Sequence, residues 1–319
     1  MARHPGPGKL KPFLDRLYDR YHRAEFLPSD PLEFAHRFAN PHDREAVALI
    51  SALLAYGNVK QIRKSVEDFL FRVKALGHTP AGWVRSLGTT DGIARAGLAF
   101  EGYVHRFQSG GDVVALFRLL EGSWRQYGSM GAHFLAHHSG GEITAGLDGL
   151  IGDWKSRVRE MPDARLSPGF GHFLTAPADG SCCKRWCMLI RWMGRERGAQ
   201  GDLDLGLWRE GSPLAATFPP DKALRASELV IPLDTHTGRI SQYLGLTRRK
   251  SLNWKAAVEV TRNLKSCDPE DPVRYDFALA RLGILDRCQR KYRKEICSGC
   301  ELVKVCKWGS RSLPKEKRS

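Results

Sequence analysis

The sequence predicts an all-α fold. Three observations carry that expectation: apolar residues recur at helical spacing, alternating strand patterns are scarce, and capping residues stand where the helical periods begin. The chain has 319 residues, 42% hydrophobic and 27% charged, which suits a folded protein of one large domain or two ordinary ones.

Taken in order, Leu14, Leu17, Tyr18 and Tyr21 share one face of a first helix, expected to stop near Pro28. Asp43 is the expected cap of AVALISALLAY, a stretch apolar all round and so central to a core. Ile62, Val66, Phe69 and Val73 repeat the helical period until Gly77 ends it. In CCKRWCMLIRWM, residues Cys183, Trp186, Cys187, Ile190 and Met193 make an apolar face, so a helix begins near Cys183 with Lys184 in its first turn. The segment 201–228, rich in Gly, Pro and Asp, reads as a long loop with one helical turn, inserted before LVIPL (229–233). That short run is the single strand candidate, weakened by Pro232. Asp234 then caps a helix, and in DPVRYDFALARLGI the expected cap is Asp271, with Pro272 at the first helical position and Gly283 near the stop. No internal repeat is present, and the tails 1–9 and 310–319 are expected to be disordered.

No apolar run approaches a membrane span, and the N-terminal stretch lacks a secretory signal, so a cytoplasmic protein with no membrane partner is expected. The net charge is +15 and locally dense: Arg248, Arg249 and Lys250 form one cluster, and Arg287, Arg290, Lys291, Arg293 and Lys294 another. Such clusters suit phosphate contacts, whose affinity comes from released counterions. The plainer alternative is a solvated basic face.

The second cluster is interleaved with Cys288, Cys297, Cys300 and Cys306, spaced C-x8-C-x2-C-x5-C. In a reducing compartment these thiols are metal ligands rather than disulfides. Four converging thiolates from one compact loop suit a [4Fe–4S] cluster. A structural zinc site is the alternative, although zinc usually takes two tight cysteine pairs and Cys297–Cys300 is the single one here. Cys182, Cys183, Cys187 and Cys267 read as small apolar packing residues. A cation in a first helical turn opposes the helix dipole, which favours the neutral amine that a carbon nucleophile must be. Solvated lysines are commoner at such positions than catalytic ones, and capping alone accounts for many aspartates placed like Asp234.

Together, DGSCCK, LVIPLDTH and the cysteine loop resemble the helix–hairpin–helix DNA glycosylases of the endonuclease III class. The resemblance covers roughly 44–76 and 177–306 and implies a two-lobed fold with double-stranded DNA in the cleft. One lobe is a helical barrel over 44–225, with a degenerate hairpin and the insertion; the other joins 10–43 to 226–306 and holds the cluster. Lys184 matches the family's nucleophile and Asp234 its carboxylate; Gly180 and Ser181 match the phosphate-holding hairpin, and the four cysteines match the cluster ligands. LLAYGN (53–58) is similar to the helix end that supplies a wedge into the base stack, with Tyr56 and Asn58 as candidates. The implied activity is base excision with AP-lyase chemistry, by a monomer. The sequence departs from the family pattern in having one hairpin glycine instead of two and Gly57 where a wedge glutamine is usual.

Trp208 and Trp186 are candidates to stack on a flipped base, each with a core role as the alternative; a pocket lined by Trp208 points to an oxidised purine. The rival reading is a non-catalytic DNA- or RNA-binding protein on the same scaffold. A metal-dependent hydrolase built on His133, His137 and His138 is a further rival, with no acidic partner evident in the sequence around them.

Overall fold

The computed structural model describes residues 6–195, 203–285, 288–289 and 291–313; Arg287 and Arg290 therefore lie outside the described residues. Among the described residues the chain is predominantly helical, with one two-residue β pairing. A 3-10 turn, Pro7–Leu10, leads into α1 (Lys11–Tyr21), which buries Leu14, Leu17 and Tyr21. Residues 7–9 are thus ordered, contrary to expectation, and Cys267 Sγ reaches the Pro7 carbonyl. α1 ends seven residues before Pro28, which sits inside a separate 3-10 turn, Ala24–Ser29.

After a short α2 (Glu33–His36) comes α3 (Pro41–Leu53), buried along nearly its whole length, as its apolar circumference requires. Its cap is Asn40 rather than Asp43: the Asn40 side chain accepts the His42 and Asp43 amides, while Asp43 accepts the Ala81 amide at 2.6 Å. The next three helices are α4 (Val59–Ala75), α5 (Pro80–Ser86) and α6 (Thr90–Ala99), capped by Asn58, Thr79 and Thr89. A hairpin of β1 (Val104–His105) and β2 (Gln108–Ser109) turns at Arg106, whose φ of 53° is left-handed. It feeds α7 (Gly110–Tyr127) through a capping box formed by Ser109 and Asp112. Phe69, Trp83, Phe100 and Phe117 pack their rings together beneath these helices.

α8 (Met130–His137) and α9 (Thr144–Arg159) lie against each other, and α10 (Lys184–Gly194) packs on α3. The insertion is not a loose loop. Leu203, Leu205, Leu207, Trp208, Leu214 and Leu224 are buried, and Ala215–Thr217 and Ala226–Glu228 are 3-10 turns. Its anchor is Glu45 of α3, fully buried, which accepts both indole N–H groups of Trp124 and Trp208 and the amides of Met130 and Gly131. The run 229–233 is buried but pairs with no strand among the described residues; the Ile231 amide donates instead to Thr261 Oγ1.

The remaining helices are α11 (Thr235–Leu244), α12 (Trp254–Lys265), α13 (Asp276–Ile284), α14 (Lys294–Cys297) and α15 (Gly309–Ser312). α13 starts five residues after Asp271, which is held by Arg195 instead of capping. α1 packs on α13, and Arg20 grips Glu301 at 2.6 Å and the Gly299 carbonyl, so the N-terminal helix joins the C-terminal elements. Residues 310–312, expected in the disordered tail, complete α15. No helix among the described residues is long and apolar enough to cross a membrane.

Candidate functional site

Four helix ends converge on one cleft of about 740 Å³. α3 contributes its C-terminal end, at Ala55 and Tyr56; α10, α11 and α13 contribute N-terminal ends, at Lys184, Asp234 and Asp276. Three N-termini facing one space make it favourable to anions.

Lys184 is the first residue of α10, preceded by Cys183 in a left-handed conformation (φ 48°). The entry to α10 is not a second full helix but two 3-10 turns, Phe170–His172 and Pro177–Asp179. Gly180 follows with φ 74°, and Ser181 Oγ accepts the Cys183 amide. Ser181 therefore spends its hydroxyl acceptor within the turn, although it lines the cleft. Lys184 Nζ donates to the Ala55 carbonyl at 3.2 Å, and Arg185 donates to the Leu53 carbonyl at 2.7 Å. Two cations thus sit at the carbonyl end of α3, where the helix dipole favours them.

Asp234 caps α11: its Oδ1 accepts the His236 and Thr237 amides, each at 2.7 Å. His236 lies against Gly283 of α13, where any Cβ would run into its ring, so this glycine sets the approach of α11 to α13. The second carboxylate, Asp276, carried no signal in the sequence beyond its place before an apolar helical run. It is buried, 3.1 Å from Arg191, and burial pushes its carboxyl up to about 7. Arg191 and Lys184 oppose that rise and Asp234 reinforces it, so Asp276 lies within electrostatic reach of both predicted residues. Arg191 in turn meets Asp204 of the insertion, which also pairs with Arg195.

Several expectations are corrected. Trp208 and Trp186 do not line the cleft: both are fully buried, with indole N–H groups on Glu45 and on the Phe173 carbonyl. Asn58 is occupied as the cap of α4. Tyr56 is half-buried, its hydroxyl bonded to the Gln108 side chain and its ring edge-on to His105. What protrudes beside it is the hairpin tip, where Arg106 lies over both Tyr56 and Phe107. Phe107 is 58% exposed and stacks on His172, which lines the cleft.

The four loop cysteines line one small cavity, with Ile240, Leu244 and Leu282 as apolar walls. Burial pushes the Cys300 thiol up to about 12 and raises that of Cys306, so a bound cation is what would keep them ionised. The Arg293 amide donates to Cys297 Sγ at 3.3 Å. Among the described residues the group whose ligand atoms all lie within 4.8 Å is His133, His137 and Asp153. Arg248, Arg249, Lys250, Lys291, Arg293 and Lys294 are all exposed, with Arg249 paired to Glu259. Cys183, Cys187 and Cys267 are buried as expected, while Cys182 lines the cleft.

No curated protein and no solved structure matches the chain. One family model does, over a span that includes Lys184, Asp234 and Asp276 and stops before Cys288. By that match, over residues 30–285, the chain belongs to the family described as a protein of unknown function, DUF2400.

Proposed function

We propose that the chain is a DNA glycosylase with associated AP-lyase activity, acting on a damaged base in double-stranded DNA. The observation that carries this reading is that Lys184 and Asp234, separated by 49 residues of sequence, line the same cleft among three helix N-termini. A nucleotide flipped from the duplex brings its C1′ and flanking phosphates into such a space. Lys184 leaves the Ala55 carbonyl, loses its proton, and attacks C1′ through Nζ; the C1′–N bond to the base breaks and the base departs with the bonding pair. The aminal that results breaks its C1′–O4′ bond, O4′ taking the proton lost from Nζ, to give the Schiff base; loss of a C2′ proton to water then breaks the C3′–O bond and releases the 3′ phosphate. Asp234, held rigid by two backbone amides, stabilises the positive charge that develops at the sugar. Asp276 is the nearby group able to hold a proton near neutrality, suited to exchanging protons with Lys184.

Phe107 and Arg106, at the rim beside Tyr56, replace Tyr56 and Asn58 as the wedge. The burial of Trp208 removes the support for an oxidised purine, so the lesion is not assigned. For the cysteine loop we propose a [4Fe–4S] cluster held by Cys288, Cys297, Cys300 and Cys306, in a structural role that fixes the basic residues around it. Broad visible absorbance near ~400 nm and about four irons per chain in anaerobically purified protein are expected; a colourless zinc protein refutes it. The protein is proposed to work as a cytoplasmic monomer.

Borohydride trapping on a panel of single-lesion duplexes is the direct test. The wild type is expected to give a covalent adduct that Lys184→Ala abolishes. Salt-sensitive DNA or RNA binding with no adduct and no base release on any lesion would favour the non-catalytic binder instead.

A further inference from the structure

α8 and α9 carry a second constellation, outside the cleft and unused by the proposed chemistry. His133 and His137, four residues apart on α8, face Asp153 on α9. His133 Nε2 and His137 Nε2 lie 3.0 and 2.9 Å from the same oxygen, Asp153 Oδ2. In the sequence the histidines lacked an acidic partner because it arrives from the next helix. Gly149, one turn before Asp153, admits the His137 ring: a Cβ at that position would run into it. His138, the third histidine of the stretch, is turned away, 3.4 Å from Glu228.

We infer that His133, His137 and Asp153 form a binding site for a first-row divalent cation of the zinc class, which clamps α8 to α9. Two imidazole nitrogens and a carboxylate oxygen are the donor types such ions take, and a small outward shift lets an ion replace the two N–H···O contacts. The outer contacts are already in place. Ser123 Oγ lies 2.8 Å from His133 Nδ1 and 3.1 Å from the Leu119 carbonyl, and it accepts the Trp154 indole N–H at 2.8 Å. With the ion on Nε2, the His133 proton sits on Nδ1 and donates to Ser123, whose own hydroxyl donates to Leu119. All three contacts are then used, and the ring is fixed as metal-bound histidines usually are. Tyr127, stacked on His133 with centroids 4.3 Å apart, closes the buried side. The His133 side chain is 0% exposed, but those of His137 and Asp153 are 33% and 40% exposed, so the ion has an approach and water completes its shell.

The test is cobalt(II) and zinc titration of the full chain, comparing wild type with Asp153→Asn and His137→Gln, both at partly exposed positions that tolerate change. One cobalt equivalent with ligand-field bands but no thiolate charge transfer is expected in wild type, and its loss in both variants. Zinc is expected to raise the thermal midpoint of wild type and leave the variants unmoved. Cobalt spectra that are thiolate-only, or equal metal content in wild type and variants, overturn the site. Trapping by Lys184 is read separately, so failure here leaves the proposed activity standing, and the reverse.

Discussion

Glu45 shows how much one side chain can decide. It is an isolated carboxylate in the core, satisfied by four N–H donors from α7, α8 and the insertion. Glu45→Ala leaves those donors buried and unpaired, at about 1–3 kcal/mol each where water cannot reach. A loss above about 3 kcal/mol in denaturant unfolding is expected. Asp276 makes a pH prediction. Its folded pKa is raised to about 7, so from the ordinary carboxylate range up to that value the folded chain holds the proton more tightly than the unfolded one. Its contribution is therefore most favourable at the acid end of that window and is lost as pH rises through 7. Asp276→Asn should flatten the fall in thermal midpoint between pH 5 and pH 8 relative to wild type; an unchanged slope would remove Asp276 as its source.

At the scale of elements, glycines set how closely helices approach. A Cβ on Gly131 would meet the Trp208 indole at 2.5 Å, and one on Gly283 would strike His236. Gly131→Ala should loosen the insertion from α8, visible as faster amide exchange across 203–224 with the cleft chemistry retained. Gly283→Ala is expected to cost about 1–3 kcal/mol and to lower trapping yield, because it separates the carboxylates of α11 and α13. Equal yields from that variant and wild type would show that their spacing does not matter. Helix starts are legible in the sequence wherever a capping side chain precedes an apolar period, as at Asp234. They are obscured where two residues compete: Asn40 caps α3 and leaves Asp43 to hold Ala81, a partner 38 positions away that no local pattern records.

For the whole molecule, charge is the relevant quantity. With a net charge of +15, binding to duplex DNA should weaken steeply with salt. Replacing Arg248 and Lys250 with glutamine should reduce the slope of log affinity against log salt by about one for each phosphate no longer neutralised, with trapping retained at low salt. The C-terminal cysteine segment is tied to α1 by Arg20 with Glu301 and to α11 by the Lys307 amide with the Tyr243 carbonyl. Cys300→Ser should therefore lower the thermal midpoint of the whole chain as well as abolish the visible absorbance expected of the proposed cluster.

The sequence alone determined the helical class, the buried α3, the start of α10 near Cys183 and the cap at Asp234, because each is written in spacing and local hydrogen bonding. It also marked the four cysteines as one set. Only the tertiary structure decided which distant groups meet: Asp276 near Lys184 and Asp234, Asp153 before His133 and His137, and Trp208 in the core on Glu45 instead of in the cleft. Those pairings depend on helix approach and on where buried polar groups find partners. Both are properties of the packed molecule, with no counterpart in local periodicity.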